Sequence, residues 1–235
     1  MTGPAALHQV PVLAAWDETT ALHAVRLALP PSLARAHVRP GQIVKVGTEE
    51  GEAFFALASA PEPAGEAELL VKRGGRVADS VVGHARAGAA LACTPPFGQG
   101  FPVEEAEGHD VLLFAAGSGI APIRAVVQHV IARRTRFARA ILFYGQRRHD
   151  EFAYVREHGA WEKAGVRVVL CPSGEDDPWT GVRGRVQEVA RATGLGGARP
   201  GEALAFVAGM TAMVEDVRAT LAAAGVPPGR VHANF

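Results

Sequence analysis

The sequence predicts a small antiparallel β domain followed by an α/β domain built on a parallel sheet. Three observations predict it. Short apolar runs separated by turn-formers fill the first hundred or so residues. From Asp110 onward, strand-like and helix-like runs alternate. A polar stretch, Glu104 to His109, stands between the two grammars and places the boundary near residue 107, giving segments 1–107 and 108–235.

In the first segment, Leu7 to Trp16, Thr20 to Leu29, Gln42 to Thr48, Ala53 to Ser59, Glu66 to Lys72 and Ala89 to Thr94 read as strands. Pro30-Pro31, Arg39-Pro-Gly41, Glu49-Glu-Gly51, Pro61-Glu-Pro63 and Gly74-Gly75 supply the turns. Strands at this spacing give a barrel or a sandwich, with room for a short helix between Val77 and Ala85.

The second segment reads strand 111–115, helix 120–134, strand 139–144, helix 150–164, strand 166–171, helix 184–193, strand 203–208 and helix 211–224. Arg230 to Ala233 can form a last strand. Its most informative stretch runs from Val111 to Pro122, where an apolar strand turns through Gly117 and Gly119 into an amphipathic helix. Glycine permits positive φ and close approach of a ligand, and Pro122 suits a first helical turn. Free amides and the positive end of the helix dipole then make a place for a phosphate. This is not the dinucleotide Gly-x-Gly-x-x-Gly, because Pro122 stands at the third glycine. Nor is it a hydrolase elbow, because Ala116 and Ile120 occupy its glycine positions.

Composition excludes several classes. Formal net charge is zero over 235 residues, which gives no electrostatic footprint for nucleic acid or an anionic membrane. No segment is apolar for long enough to span a bilayer and no basic leader precedes an apolar core, so a cytoplasmic protein without membrane insertion is expected. Cys93 and Cys171 are too few for a cysteine-held cluster and sit in apolar runs, as buried thiols do. The nine histidines show no metal-binding spacing, so no metal is expected. Glu104, Glu105 and Glu107 read as a solvated linker, and Trp179 either caps a site or folds onto its own loop.

Across nearly its whole length the chain resembles the ferredoxin–NADP reductase superfamily. Arg39-Pro-Gly-Gln42 matches a turn before a barrel strand, and Phe55-Ala-Leu-Ala-Ser59 is similar to the flavin strand. Gly75-Arg-Val-Ala-Asp-Ser80 is similar to the segment that receives the flavin diphosphate, and Pro96-Phe-Gly98 to a Gly-Pro-x-Gly turn. Gly117-Ser-Gly-Ile-Ala-Pro122 matches the family's Gly-Thr-Gly-Ile-Ala-Pro loop, and Phe143-Tyr-Gly-Gln-Arg147 its second nucleotide strand. Val207-Ala-Gly-Met210, then Ala212-Met-Val214, stands where Cys-Gly-Pro-x-x-Met-Val is usual. Asp176-Asp-Pro-Trp-Thr-Gly181 and Asn234-Phe235 point to a branch found also in plants.

The resemblance implies a six-stranded antiparallel Greek-key flavin barrel and a parallel-sheet domain for NADH or NADPH. It implies FAD rather than FMN, held by Phe55, Ala56, Leu57, Ala58 and Ser59 with Gly75, Arg76, Val77 and Ala78 at the diphosphate. Gly117, Ser118, Gly119, Ile120, Pro122, Gly145, Arg147, Arg148 and Met210 would take the pyridine nucleotide. Ala208 and Gly209 would flank the nicotinamide, and Phe235 would stack on the flavin. The implied activity is hydride transfer from NAD(P)H to FAD, then electron transfer to a separate protein or a small molecule.

Departures from the family pattern support a rival reading. The flavin-strand arginine, tyrosine and serine are replaced by Ala53, Phe55 and Ala56, and the cysteine beside the nicotinamide by Ala208. Arg73 and Arg76 could supply the missing positive charge. Together the losses fit a non-catalytic nucleotide-binding or complex-docking module. Arg147 and Arg148 precede Asp150 and Glu151, so signals for NADPH and for NADH are both present.

Overall fold

A computed structural model of the 235-residue chain describes residues 6–61 and 65–233. The first sheet contains β1 (His8–Asp17), β2 (Leu22–Ala28), β3 (Ile43–Thr48), β4 (Gly51–Ala56), β5 (Glu66–Lys72) and β6 (Ala90–Cys93). These six strands pair antiparallel in the order β4-β3-β6-β1-β2-β5. An antiparallel bridge from Leu57 to Leu69 brings the two ends of that order together and closes the barrel. Val10, Val12, Val25, Leu27, Val44, Val46, Leu57 and Leu69 fill the interior, alternating with outward residues as strand geometry requires.

Two short helices serve the barrel. The α1 helix (Pro31–Ala34) is a single turn where the two prolines suggest only a plain turn, and it buries Leu33. The α2 helix (Arg76–His84) buries Val81 at one end of the barrel. Between the sheets, residues Val103–Ala106 form a 3-10 turn that buries Val103 and Ala106 while Glu104, Glu105 and Glu107 face solvent.

The second sheet is parallel, in the order β11-β10-β7-β8-β9. Its strands are β7 (Asp110–Ala116), β8 (Ala140–Gln146), β9 (Val166–Pro172), β10 (Ala203–Ala208) and β11 (Val231–Ala233). Four helices connect them: α3 (Ile120–Ala132), α4 (Val155–Lys163), α5 (Val186–Ala192) and α6 (Thr211–Ala223). The buried, almost uniformly apolar strands β7, β8 and β10 carry helices on both faces.

The helix expected over 150–164 is broken. His149–Glu151 make a 3-10 turn, and α4 starts only after Tyr154, which adopts a left-handed φ of 60°. One core cluster runs through both sheets, uniting Leu22, Ala58 and Leu70 with Ile120, Tyr144, Tyr154 and Phe206. Both cysteines are buried free thiols, and burial pushes each up to about 12. Among the described residues no helix is long and apolar enough to cross a membrane, and no group of ligating side chains could hold a metal ion.

Candidate functional site

The carboxyl end of β7 lies at the middle of the parallel sheet, with β10 on one side and β8 on the other. Chain connections diverge there, which leaves a crevice where α/β sheets bind ligands. Gly117 turns out of β7 with φ 58°, and a side chain at that position would meet nothing within 4 Å, so the turn is open above. Gly119 has no such freedom. A Cβ there would lie 2.3 Å from the Ala208 oxygen and 3.0 Å from the Gly209 nitrogen. The glycine turn and the β10–α6 connection therefore touch backbone to backbone.

Gly209 is packed as closely, since its Cβ would lie 3.0 Å from the Met213 sulfur and 3.4 Å from the Ala116 Cβ. Gly145 pairs beside Ala116 on the neighbouring strand. The fold thus gathers Gly117, Ser118, Gly119, Gly145, Ala208 and Gly209 at one edge of the sheet. Ile120 and Pro122 are buried in the first turn of α3, which no side chain caps. The Ile120 amide donates to the Gly117 carbonyl and Pro122 has no amide hydrogen, so an anion here would meet the helix dipole and the glycine turn rather than a row of free amides. Met210, 74% exposed, stands at the lip before α6.

The loops after β8 and β9 make the rim. Arg147 is exposed and makes no ion pair among the described residues, while its carbonyl accepts the Gly174 amide at 2.8 Å. Arg148 is turned onto Asp150, Nε to Oδ1, at 3.0 Å. The His149 amide donates to Asp177 at 2.7 Å, and the His149 ring and Trp179 amide approach the same carboxyl at 3.0 and 2.9 Å. Burial opposes ionisation of Asp177, but these donors outweigh it and hold the carboxyl down at about 2. Arg183 donates to the carbonyls of Gly174, Glu175, Asp177 and Trp179 and straps the loop together. Trp179 folds onto Gly181 and donates to the Val182 carbonyl at 3.2 Å, so it belongs to its own loop.

On the barrel side, Phe55 stands opposite the fully buried Val44 and packs against the barrel interior. Its neighbour Phe54 points outward, 65% exposed, in an edge-to-face pair with Phe97 at 6.0 Å. Leu57 and Ala58 are fully buried, and the Ser59 hydroxyl accepts the Glu68 amide at 3.0 Å. Nothing lies within 4 Å of a Cβ built at Gly74, and no side chain caps α2, so the amides of Arg76, Val77 and Ala78 have no side-chain acceptor, while the Asp79 carboxylate accepts the Gly74 amide at 2.9 Å. Arg73 pairs with Asp17 at 2.5 Å and Arg76 with Glu50 at 2.5 Å. Uncapped amides and two arginines form a donor set suited to a diphosphate. Ala53, Phe55 and Ala56 offer no hydroxyl, so contacts to a flavin ring there would be apolar or through backbone. Asn234 and Phe235 lie outside the described residues.

Residues 113–219 match the family described as the oxidoreductase NAD-binding domain. The gamma subunit of sulfhydrogenase 1 from Pyrococcus furiosus is 32% identical over 192 residues, covering 79% of this chain and 65% of that subunit. A fruit protein of Actinidia deliciosa is 28% identical over 225 residues, covering 86% of this chain and 68% of its own. In fold, the chain is similar to a ferredoxin NADP+ reductase from Neisseria gonorrhoeae solved with FAD and NADP. That match has a TM-score of 0.79 and 20% identity, and covers 99% of this chain and all of that one. The chain thus has the fold of ferredoxin NADP+ reductases, and the greater part of its parallel-sheet half matches an oxidoreductase NAD-binding domain.

Within the superfamily fold, one group of residues goes beyond what sequence reasoning finds. Arg124, on α3, is 7% exposed and reaches across to the barrel. Its signal is present: a lone arginine in the otherwise apolar run Ile120 to Val127. Glu68 and Glu157, which face it, carry no local signal at all.

Proposed function

We propose that this protein is a member of the ferredoxin–NADP reductase superfamily, an NAD(P)H-dependent flavin oxidoreductase that passes electrons to a separate acceptor. One observation carries the reading: the glycine turn is open above Gly117 and meets Ala208 and Gly209 at the switch point of the sheet. The pyridine nucleotide's phosphates would lie on the uncapped start of α3, with its nicotinamide toward Ala208 and Gly209. Arg73, Arg76 and the first amides of α2 would hold the FAD diphosphate, and residues 55–59 would offer backbone to the flavin. When bound, FAD would accept hydride from the reduced nicotinamide and supply the electrons to an acceptor.

The protein's part is binding, alignment and exclusion of water, and no side chain need transfer a proton. Ala208, in place of the superfamily cysteine, leaves alignment to backbone and packing. The chain spans less than two thirds of the sulfhydrogenase subunit it resembles, and that relative's being one subunit of an enzyme supports a protein acceptor in a larger assembly. The deciding experiment is an absorbance spectrum of the purified protein, followed by anaerobic addition of NADH and NADPH. Flavin bands that bleach on addition support the reading. A colourless protein that neither takes up FAD nor oxidises either nucleotide would leave a nucleotide-binding docking module.

A further inference from the structure

The seam between barrel and parallel sheet holds a charge that packing alone does not require. Arg124 lies one turn along α3 from the glycine turn. Its Nη1 donates to the Ala58 carbonyl at 2.8 Å and lies 3.2 Å from Glu68. Nε and Nη2 fork onto Glu157 at 2.9 and 2.7 Å, and the guanidinium sits 4.4 Å above the Tyr154 ring. Four residues on, along the same helix face, Gln128 accepts the Ala60 amide at 2.9 Å. Glu68 secures the segment from behind, its carbonyl accepting the Ala58 amide at 2.7 Å and its amide donating to Ser59.

Desolvating an ion pair is costly, and apolar replacements of equal volume are often as stable. Apolar packing cannot fix the direction of a carbonyl, whereas a buried arginine fork can. Residues 58–60 are thus fastened at two points to the helix that follows Gly119.

We propose that Arg124 and Gln128 are positioning residues, holding the Ala58–Ala60 backbone in fixed register with the glycine turn. The inference rests on the flavin-reductase reading, in which these two elements carry the flavin and the pyridine nucleotide. Hydride transfer needs the reacting atoms within about 3–3.5 Å, and a misplacement of about 1 Å costs roughly a hundredfold.

The test compares wild type, Arg124→Lys and Gln128→Leu. Reduction of bound flavin is followed at varied NADH and NADPH, and amide hydrogen exchange at Ala58 and Ala60 is measured with no flavin added. Arg124→Lys keeps a cation facing Glu68 and Glu157 but loses the fork. Gln128→Leu removes a neutral bond on a half-buried side chain and covers the case in which the first variant does not fold. Both variants should keep the flavin spectrum, with KM within about threefold of wild type and kcat lowered about tenfold or more. Both should also lose exchange protection at the Ala60 amide, which Gln128 accepts directly and which Arg124 steadies through the neighbouring Ala58 carbonyl. A reducible wild type whose Gln128→Leu form keeps kcat and protection overturns this inference alone. A wild type that takes up no flavin overturns the flavin reading, and this inference with it.

Discussion

A methyl group placed on Gly119 would sit 2.3 Å from the carbonyl oxygen of Ala208. Two loops separated by some ninety residues in sequence are therefore in backbone contact, and only glycine fits between them. Gly119→Ala should push the loops apart at a cost of about 1–3 kcal/mol. Nucleotide affinity should fall about tenfold or more, with a lower melting temperature. Gly117→Ala meets open space at φ 58°, so its backbone strain of about 1–2 kcal/mol should act on stability more than on affinity. Calorimetric titration with both nucleotides and thermal melts separate the two; unchanged affinity in Gly119→Ala would remove the nucleotide from this turn.

The Arg76 ion pair makes a second prediction. Its side chain is 83% exposed, and a pair of that kind is worth about 1 kcal/mol at most. A diphosphate on α2 can therefore draw Arg76 away from Glu50. Glu50→Gln should tighten FAD binding about three- to fivefold, and Arg76→Ala should weaken it by at least as much. Flavin fluorescence titration measures both; equal dissociation constants across the three proteins would place the diphosphate elsewhere.

Asp177 gives a pH dependence. Its carboxyl titrates at about 2 in the fold against an ordinary 3.8, so across that window the unfolded chain binds more protons. Its stabilising contribution is complete above the ordinary value and is lost as pH falls through about 2. Asp177→Asn should lower the urea midpoint at pH 7, and the gap to wild type should close toward pH 2. A gap that stays constant with pH would show that the charge is not what the His149 and Trp179 donors read.

Coenzyme choice should depend on Arg147 more than on Arg148. Arg148 is turned onto Asp150, while Arg147 makes no ion pair among the described residues. Arg147→Ala is expected to lower kcat/KM for NADPH about tenfold while leaving NADH nearly unchanged, as loss of one charge-assisted contact would. Steady-state kinetics with both nucleotides decide it; an unchanged ratio in Arg147→Ala clears that residue of reading the 2′-phosphate.

Local features are legible in the sequence and long-range ones are not. Strand Glu66–Lys72 is legible to both ends, because an apolar run between turn-formers contains all that defines it. Strand β4 stops at Ala56 rather than Ser59, and the carbonyl of Ala58 goes to Arg124 on the other sheet. The helix expected from residue 150 is interrupted at Tyr154, whose amide donates to Glu18 at 2.8 Å, 136 positions away. No periodicity within a window could carry that contact. The same division holds in the site. The glycine turn announces itself by composition, whereas the ion pairs that occupy Arg73 and Arg76 depend on Asp17 and Glu50, which only the barrel brings near.

The fastening of Ala58 and Ala60 to α3 has a consequence for anyone recombining such proteins. The two sheets are not interchangeable cassettes. A chimera joined near residue 107, taking its barrel from one relative and its parallel sheet from another, would strand Arg124 and Glu68 as unmatched buried charges unless both partners came along. Loss of one member of a buried pair costs about 3–5 kcal/mol, a large share of the stability of an ordinary protein. Productive crossovers should therefore transfer Ser59, Glu68, Arg124, Gln128 and Glu157 as one inherited block, whatever the boundary drawn by eye between the halves.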